Sequence, residues 1–90
     1  VRCHLSAEAE ADFERIYIFN IQRSLDWAER VERRLLARIR ALAQTPSDGR
    51  PHREEGTRRL SIADIQYVID YRVMPGAIEI LRVQSSREIR

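Results

Sequence analysis

The side chains best suited to chemistry in this sequence are arginines. Every basic residue is Arg and none is Lys. A guanidinium keeps its charge across the physiological range and offers forked donors that match a carboxylate or a phosphate. A GC-rich genome is the simpler cause of the bias, but the physical consequence is the same. Two groups stand out: Arg50, Arg53, Arg58 and Arg59 in and after a Pro/Gly-rich stretch, and Arg82 and Arg87 near the end of the chain. Such groups bind phosphate or a carboxylate-rich surface. They also fit a solvated edge paired with Glu54 and Glu55, and the residues alone leave both readings open.

Other chemistries find little support. His4 and His52 have no ligand-like neighbour at metal spacing, so no metal site is expected. Cys3 is the only cysteine, which rules out an internal disulfide; with no activating neighbour it reads as a small buried side chain. There is no phosphate loop, dinucleotide fingerprint or nucleophile elbow, so no cofactor and no catalytic residue is assigned. Asp70 reads as part of a solvated strand face. Trp27 and the three Tyr fit core positions better than base-stacking ones.

The net charge of +2 is too small to argue for nucleic acid, and its distribution says more. Residues 1–32 hold four Arg against seven Asp or Glu, a net of −3; residues 33–90 hold twelve against seven, a net of +5. The second part is the side suited to an acidic partner. Residues 1–90 are expected to form a single domain, burying only roughly 60% of its unfolded surface. No apolar run is long enough to span a bilayer, and the first residues lack the apolar stretch of a signal peptide. Together these features point to the cytoplasm and away from a membrane.

The elements that would position the arginines follow from periodicity. Arg2–Leu5 reads as a short strand. Ser6 is a helix N-cap, followed by Glu8, Glu10 and Asp12, where the helix dipole favours negative charge. Ala9, Phe13, Ile16 and Asn20 share one face of a helix over about residues 7–23. Ile18 and Ile21 lie off that stripe and, with Phe19, leave the second half of the helix apolar nearly all round. Such a helix needs cover on more than one side. Ser24 caps a second helix, about 25–45, with Ala28, Val31, Leu35, Ile39 and Leu42 as its core stripe and Glu29–Arg33 as an i,i+4 pair. Thr45-Pro46 ends it. Residues 46–57 read as a charged, exposed loop.

From Arg58 the period becomes two. Leu60 and Ile62 alternate with polar neighbours, and a half-buried strand runs from Ile65 through Tyr67, Ile69 and Tyr71 to Val73. Met74-Pro75-Gly76-Ala77 is a turn, and 77–83 returns as a strand. Closing the hairpin on Pro75-Gly76 sets Val73 opposite Ile78, Tyr71 opposite Ile80 and Arg72 opposite Glu79, opposite charges supporting the register. A type II turn fits a two-residue hairpin poorly, so a longer loop is allowed for. The fold class is α+β in the order β-α-α-β-β-β, a helical hairpin on a small antiparallel sheet built from residues 58–83. Val31, Leu35, Ile39, Tyr67, Ile69 and Ile80 are its expected core.

Several segments in this order resemble the ParE branch of the ParE/RelE toxin superfamily. They are Leu5-Ser6-Ala7-Glu8-Ala9-Glu10-Ala11-Asp12 with Ile16-Tyr17, then Ala28-Glu29-Arg30 with Leu35-Leu36-Ala37-Arg38-Ile39. Gly49-Arg50-Pro51 comes next, followed by Tyr67-Val68-Ile69-Asp70-Tyr71-Arg72-Val73 and Ala77-Ile78-Glu79-Ile80-Leu81-Arg82-Val83. The resemblance covers nearly the whole chain. It implies the same β-α-α-β-β-β fold and a type II toxin–antitoxin system. The implied partner is a ParD-like antitoxin, forming a hetero-oligomer with the toxin. Ile18, Ile21 and Leu25 are the apolar surface expected to bind it, through an amphipathic helix in a groove with or without an added strand at a sheet edge.

The superfamily holds two activities: ParE-like members inhibit DNA gyrase, and RelE-like members cleave mRNA in the ribosome. Measured against the ribonucleases, Arg59 and Arg87 match basic positions. Ser61 stands where a second Lys is often found, and Val68 where the central strand usually carries an Arg. Gln84-Ser85-Ser86 replaces a segment where many relatives have a His, and no Tyr or His follows Tyr71. A ribonuclease built this way lacks a phosphate clamp and a general acid. Gyrase is therefore the favoured target, with Arg59, Arg82 and Arg87 as the target-binding surface and no sequence-specific nucleic-acid contact. A ribosome-dependent mRNA interferase and an inactive antitoxin-binding member are the alternatives.

Overall fold

The computed structural model describes residues 2–89. Strand β1 (Arg2–Leu5) leads into helix α1 (Ala7–Ile21) and then helix α2 (Leu25–Gln44). A 3-10 turn (Pro46–Asp48) and a two-residue strand β2 (Arg50–Pro51) follow, then strands β3 (Thr57–Ile62), β4 (Tyr67–Met74) and β5 (Ala77–Ser85). Both helices start on the expected serines. The Ser6 hydroxyl accepts the Ala9 N–H at 3.0 Å, and the Ser24 hydroxyl accepts the Trp27 N–H at 3.0 Å. Each satisfies one donor that the first helical turn leaves unpaired.

The five strands form one sheet in the order β1-β5-β4-β3-β2. It is α+β as expected, but not wholly antiparallel: β1 lies parallel to β5, with Cys3 beside Ile78 and Leu5 beside Ile80. The parallel pairing arises because α1 and α2 intervene before the chain returns to the sheet. As an edge strand with one neighbour, β1 leaves Cys3 exposed rather than buried.

The core lies between the helical hairpin and the sheet. Val31, Leu35, Ile69 and Ile80 are fully buried, and Ile39 and Tyr67 nearly so. Ile65 is buried too, but not from a strand. It sits in the turn between β3 and β4, where Gln66 takes φ +61° and its N–H returns to the Ile62 carbonyl at 2.9 Å. That left-handed residue breaks the expected continuous strand, so β4 begins at Tyr67. The Glu29–Arg33 ion pair is not formed among the described residues.

The β4–β5 hairpin closes on Pro75-Gly76 with no longer loop. Arg72 faces Glu79, Val73 faces Ile78 and Tyr71 faces Ile80. Gly76 takes φ +71°, the conformation that a type II turn requires at that position. Past Tyr71 the register slips by one: Asp70 pairs with Arg82 and Ile69 with Val83, leaving Leu81 as the extra residue of a bulge.

The stretch after α2 is more ordered than a charged loop. Tyr71, fully buried, carries its hydroxyl out to it. That hydroxyl accepts the Gly49 N–H at 2.8 Å and donates to the Pro46 carbonyl at 2.6 Å. A Cβ on Gly49 would lie 2.7 Å from the Tyr71 ring and hydroxyl, so the close approach requires glycine. Burial raises the Tyr71 pKa, against the lowering influence of the Gly49 N–H and Arg58. The pin sets Arg50 opposite Arg59 and Pro51 opposite Arg58.

Candidate functional site

Strand register assembles one charged row. Arg50 pairs with Arg59, Arg59 with Asp70 and Asp70 with Arg82, across four neighbouring strands. Asp70 is not a solvated strand residue. Its side chain is only 17% exposed, and its two oxygens accept Arg59 Nε at 2.6 Å and Nη2 at 2.9 Å. This two-pronged pairing fixes the guanidinium plane and raises the Arg59 pKa. Arg59 Nη1 makes no hydrogen bond among the described residues, so a fixed donor edge remains for an external acceptor.

Arg82 is held in the same way from the helical side. Its Nε and Nη2 donate to the Asp12 carboxylate at 2.8 and 3.1 Å, and Asp12 Oδ2 also accepts the Val83 N–H at 2.8 Å. Burial alone would raise the Asp12 pKa, but Arg82, the Val83 N–H and Arg15 more than offset it and the net shift is downward. Asp12 raises the Arg82 pKa in return. Arg82 is still about two-fifths exposed. The two guanidiniums thus lie on one row, each oriented by its own carboxylate.

Arg87 is not part of that row. It follows β5 in a turn where its N–H meets the Ser85 hydroxyl, and it lines a cleft beside α1. The cleft encloses about 850 Å³ between Phe19, Asn20, Trp27, Ile65, Tyr67 and the terminal turn. Its floor is a polar hub. Trp27 Nε1 donates to Asn20 Oδ1 at 2.9 Å, and Asn20 Nδ2 donates to the Ile16 carbonyl at 2.8 Å and to the Tyr67 hydroxyl at 3.0 Å. Arg23 lies over the Trp27 ring, 4.4 Å from its centre.

The apolar residues expected off the α1 core stripe are exposed, Ile18 at 54%, Ile21 at 41% and Phe19 at 66%, and so is Leu25, at the start of α2, at 51%. They lie in the last turn of α1 and at the start of α2, on either side of the hairpin turn. Reasoning from periodicity placed Asn20 on the buried face but gave no role to it, to Asp12 or to Asp70. For two of them a signal was present: Asp12 and Asn20 fall at i+3 and i+11 from Ala9, in phase with the buried Ile16. Polar residues at core phase mark buried hydrogen-bond partners.

Among the described residues there is no group of three or more His, Cys, Asp or Glu able to hold a metal ion. Among the described residues no helix is long and apolar enough to cross a membrane.

Known proteins place this geometry in a family. Residues 4–90 match the family described as ParE toxin of type II toxin-antitoxin system, parDE, and the chain belongs to that family. It is 43% identical over 63 residues to Y4kP of Sinorhizobium fredii, named as a candidate toxin; the match covers 70% of this chain and 65% of Y4kP. Among solved structures, a chain of the chromosomal ParDE system from P. aeruginosa superposes with a TM-score of 0.85 at 23% identity, covering 94% of this chain and 95% of that one. The isolated E. coli RelE toxin superposes at 0.63 with 9% identity, covering 93% and 82%. At those identities the two structures establish a shared fold. The chain is therefore a member of the ParE toxin family with the ParE/RelE architecture.

Proposed function

We propose that this chain arrests cell growth by inhibiting DNA gyrase through surface contacts and is neutralised by a ParD-like antitoxin. The observation that carries the choice between the two superfamily activities is a row of the sheet. Ser61 pairs with Val68, and Val68 with Gln84. These are the positions at and beside which the ribonucleases resembled in sequence keep basic and acid–base groups, and the row has no titratable side chain. Hydrolysis without a clamp or a general acid forgoes contributions each worth roughly 10²-fold or more. A protein–protein inhibitor needs neither.

In this reading Arg59 and Arg82 present fixed donor edges to the target, with Arg87 at the margin. The antitoxin covers Ile18, Ile21 and Leu25, an apolar surface the chain's own sheet leaves open. Expression of the chain in bacteria, with plasmid topology and mRNA integrity followed together, tests the proposal. Relaxed or broken plasmid with intact mRNA supports it. Cuts within mRNA codons on ribosomes and unchanged topology would assign the chain to the interferase activity instead.

A further inference from the structure

We infer that the solvent face of α2 binds the phosphate backbone of duplex DNA without regard to sequence. This inference does not depend on the choice of gyrase as the target. Opposite the buried stripe of α2 runs a second stripe: Asp26, Arg30, Arg33, Ala37, Arg40 and Gln44. All six are exposed. At 1.5 Å per residue, Arg30 and Arg40 stand about 15 Å apart along the axis, with Arg33 between them. None of these three arginines makes an ion pair among the described residues, whereas Arg34, on the flank, is held by Asp64 at 2.8 Å. The intervening Ala37 leaves the row unobstructed.

The composition of the face selects the partner. A protein partner calls for an apolar or aromatic centre to the contact, ringed by polar residues. This stripe has no apolar side chain larger than alanine, and the exposed large apolar residues lie elsewhere, at Ile18, Phe19, Ile21, Leu25 and Val73. Interfaces with nucleic acid are polar and much more positive than those between proteins, and this stripe carries three Arg against Asp26, with the exposed Glu29 at its margin. Guanidiniums suit phosphate through paired donors, and three on one exposed side of a helix present them to the same partner. Nothing on the face is arranged to read base edges, so contact is with the backbone alone.

Fluorescence anisotropy of a short labelled duplex, titrated with the free full-length chain at about 50 and about 200 mM salt, tests the inference. Three phosphate contacts predict a slope of about −2.7 in log K against log salt, a loss of roughly 40-fold over that range. The triple variant Arg30→Gln, Arg33→Gln, Arg40→Gln should keep its fold, bind at least about tenfold more weakly and lose most of the slope. The control triple Arg2→Gln, Arg15→Gln, Arg72→Gln removes the same charge elsewhere, at solvent-accessible positions outside the charged row, and should retain both. Absence of salt-dependent binding by the parent overturns the inference. So does equal loss in the two triples, which would reduce the effect to net charge. Tighter binding of a matched RNA duplex or of an acidic polypeptide would give the face to another partner and overturn it as well.

Discussion

The Asp12 carboxylate, on the first turns of α1, accepts the backbone N–H of Val83 on β5 at 2.8 Å. Strand β1 ends at Leu5, beside Ile80, and the bulge at Leu81 follows. Beyond that point β5 has no strand on its outer side, and the helix carboxylate takes the place of a carbonyl. The same carboxylate orients Arg82, so sheet edge and candidate surface share one anchor. Asp12→Ala leaves the Val83 N–H unsatisfied and should cost about 1–3 kcal/mol. Arg82, with open access to water, adds less. Urea denaturation of parent and variant measures the difference.

The same residue gives an acid-side prediction. A carboxylate whose folded pKa is depressed contributes stability in full above its unfolded value of about 3.9, and that stability is lost as pH falls through the folded value. The parent should therefore lose stability as the pH is lowered below about 4. Asp12→Asn should start lower at neutral pH and show a shallower decline over the same range. Parallel curves would mean that other carboxylates govern the acid limb.

Gly49 and Tyr71 make a second anchor, which sets the register of β2 on β3. Tyr71→Phe strands the Gly49 N–H and should cost about 1–3 kcal/mol. Gly49→Ala forces a Cβ against the ring and should cost a similar amount through overpacking. Because the two changes strike one contact, the double variant should fall short of their sum. Thermal melts of the four proteins supply the cycle.

Core truncation is the plainest check of the fold. Leu35 is fully buried and Ile39 nearly so, and replacing either with Ala should destabilise the chain by about 2–5 kcal/mol.

Ile18 and Ile21 behave oppositely. Both are largely exposed, so Ile18→Glu or Ile21→Glu should leave the melting temperature nearly unchanged. Each should weaken binding of the cognate antitoxin by about tenfold or more, as expected for an apolar contact near the centre of an interface. Calorimetric titration against the antitoxin measures it, and unchanged affinity in both variants would remove the hairpin tip from the interface.

What the sequence made legible followed from periodicity. The core stripe of α2, both serine caps and the register around Pro75-Gly76 are local patterns, each enforced by burial or by turn chemistry. The parallel docking of β1, the bulge at Leu81 and the early break at Gln66 depend on contacts between distant segments, which no local pattern encodes. The candidate surface divides in the same way. Exposure of Ile18 and Ile21 could be read from the helical wheel. The carboxylates that hold Arg59 and Arg82 come from a neighbouring strand and from α1, and only the folded register brings them into contact. Arg87, close to Arg82 in sequence, lies apart because the chain turns after Ser85.

The central claim is that the free chain disables DNA gyrase, and supercoiling by the purified enzyme tests it most directly. Relaxed plasmid, gyrase and ATP are incubated with increasing toxin, then with toxin and antitoxin together. The account predicts that toxin blocks supercoiling or traps cleaved DNA and that antitoxin restores the reaction. It further predicts that Arg59→Ala, Arg82→Ala or Arg87→Ala weakens inhibition. If all three variants inhibit like the parent, gyrase remains the target and the arginine surface is wrong. Undiminished supercoiling at high toxin excess, from a preparation that still kills cells, would contradict the central claim.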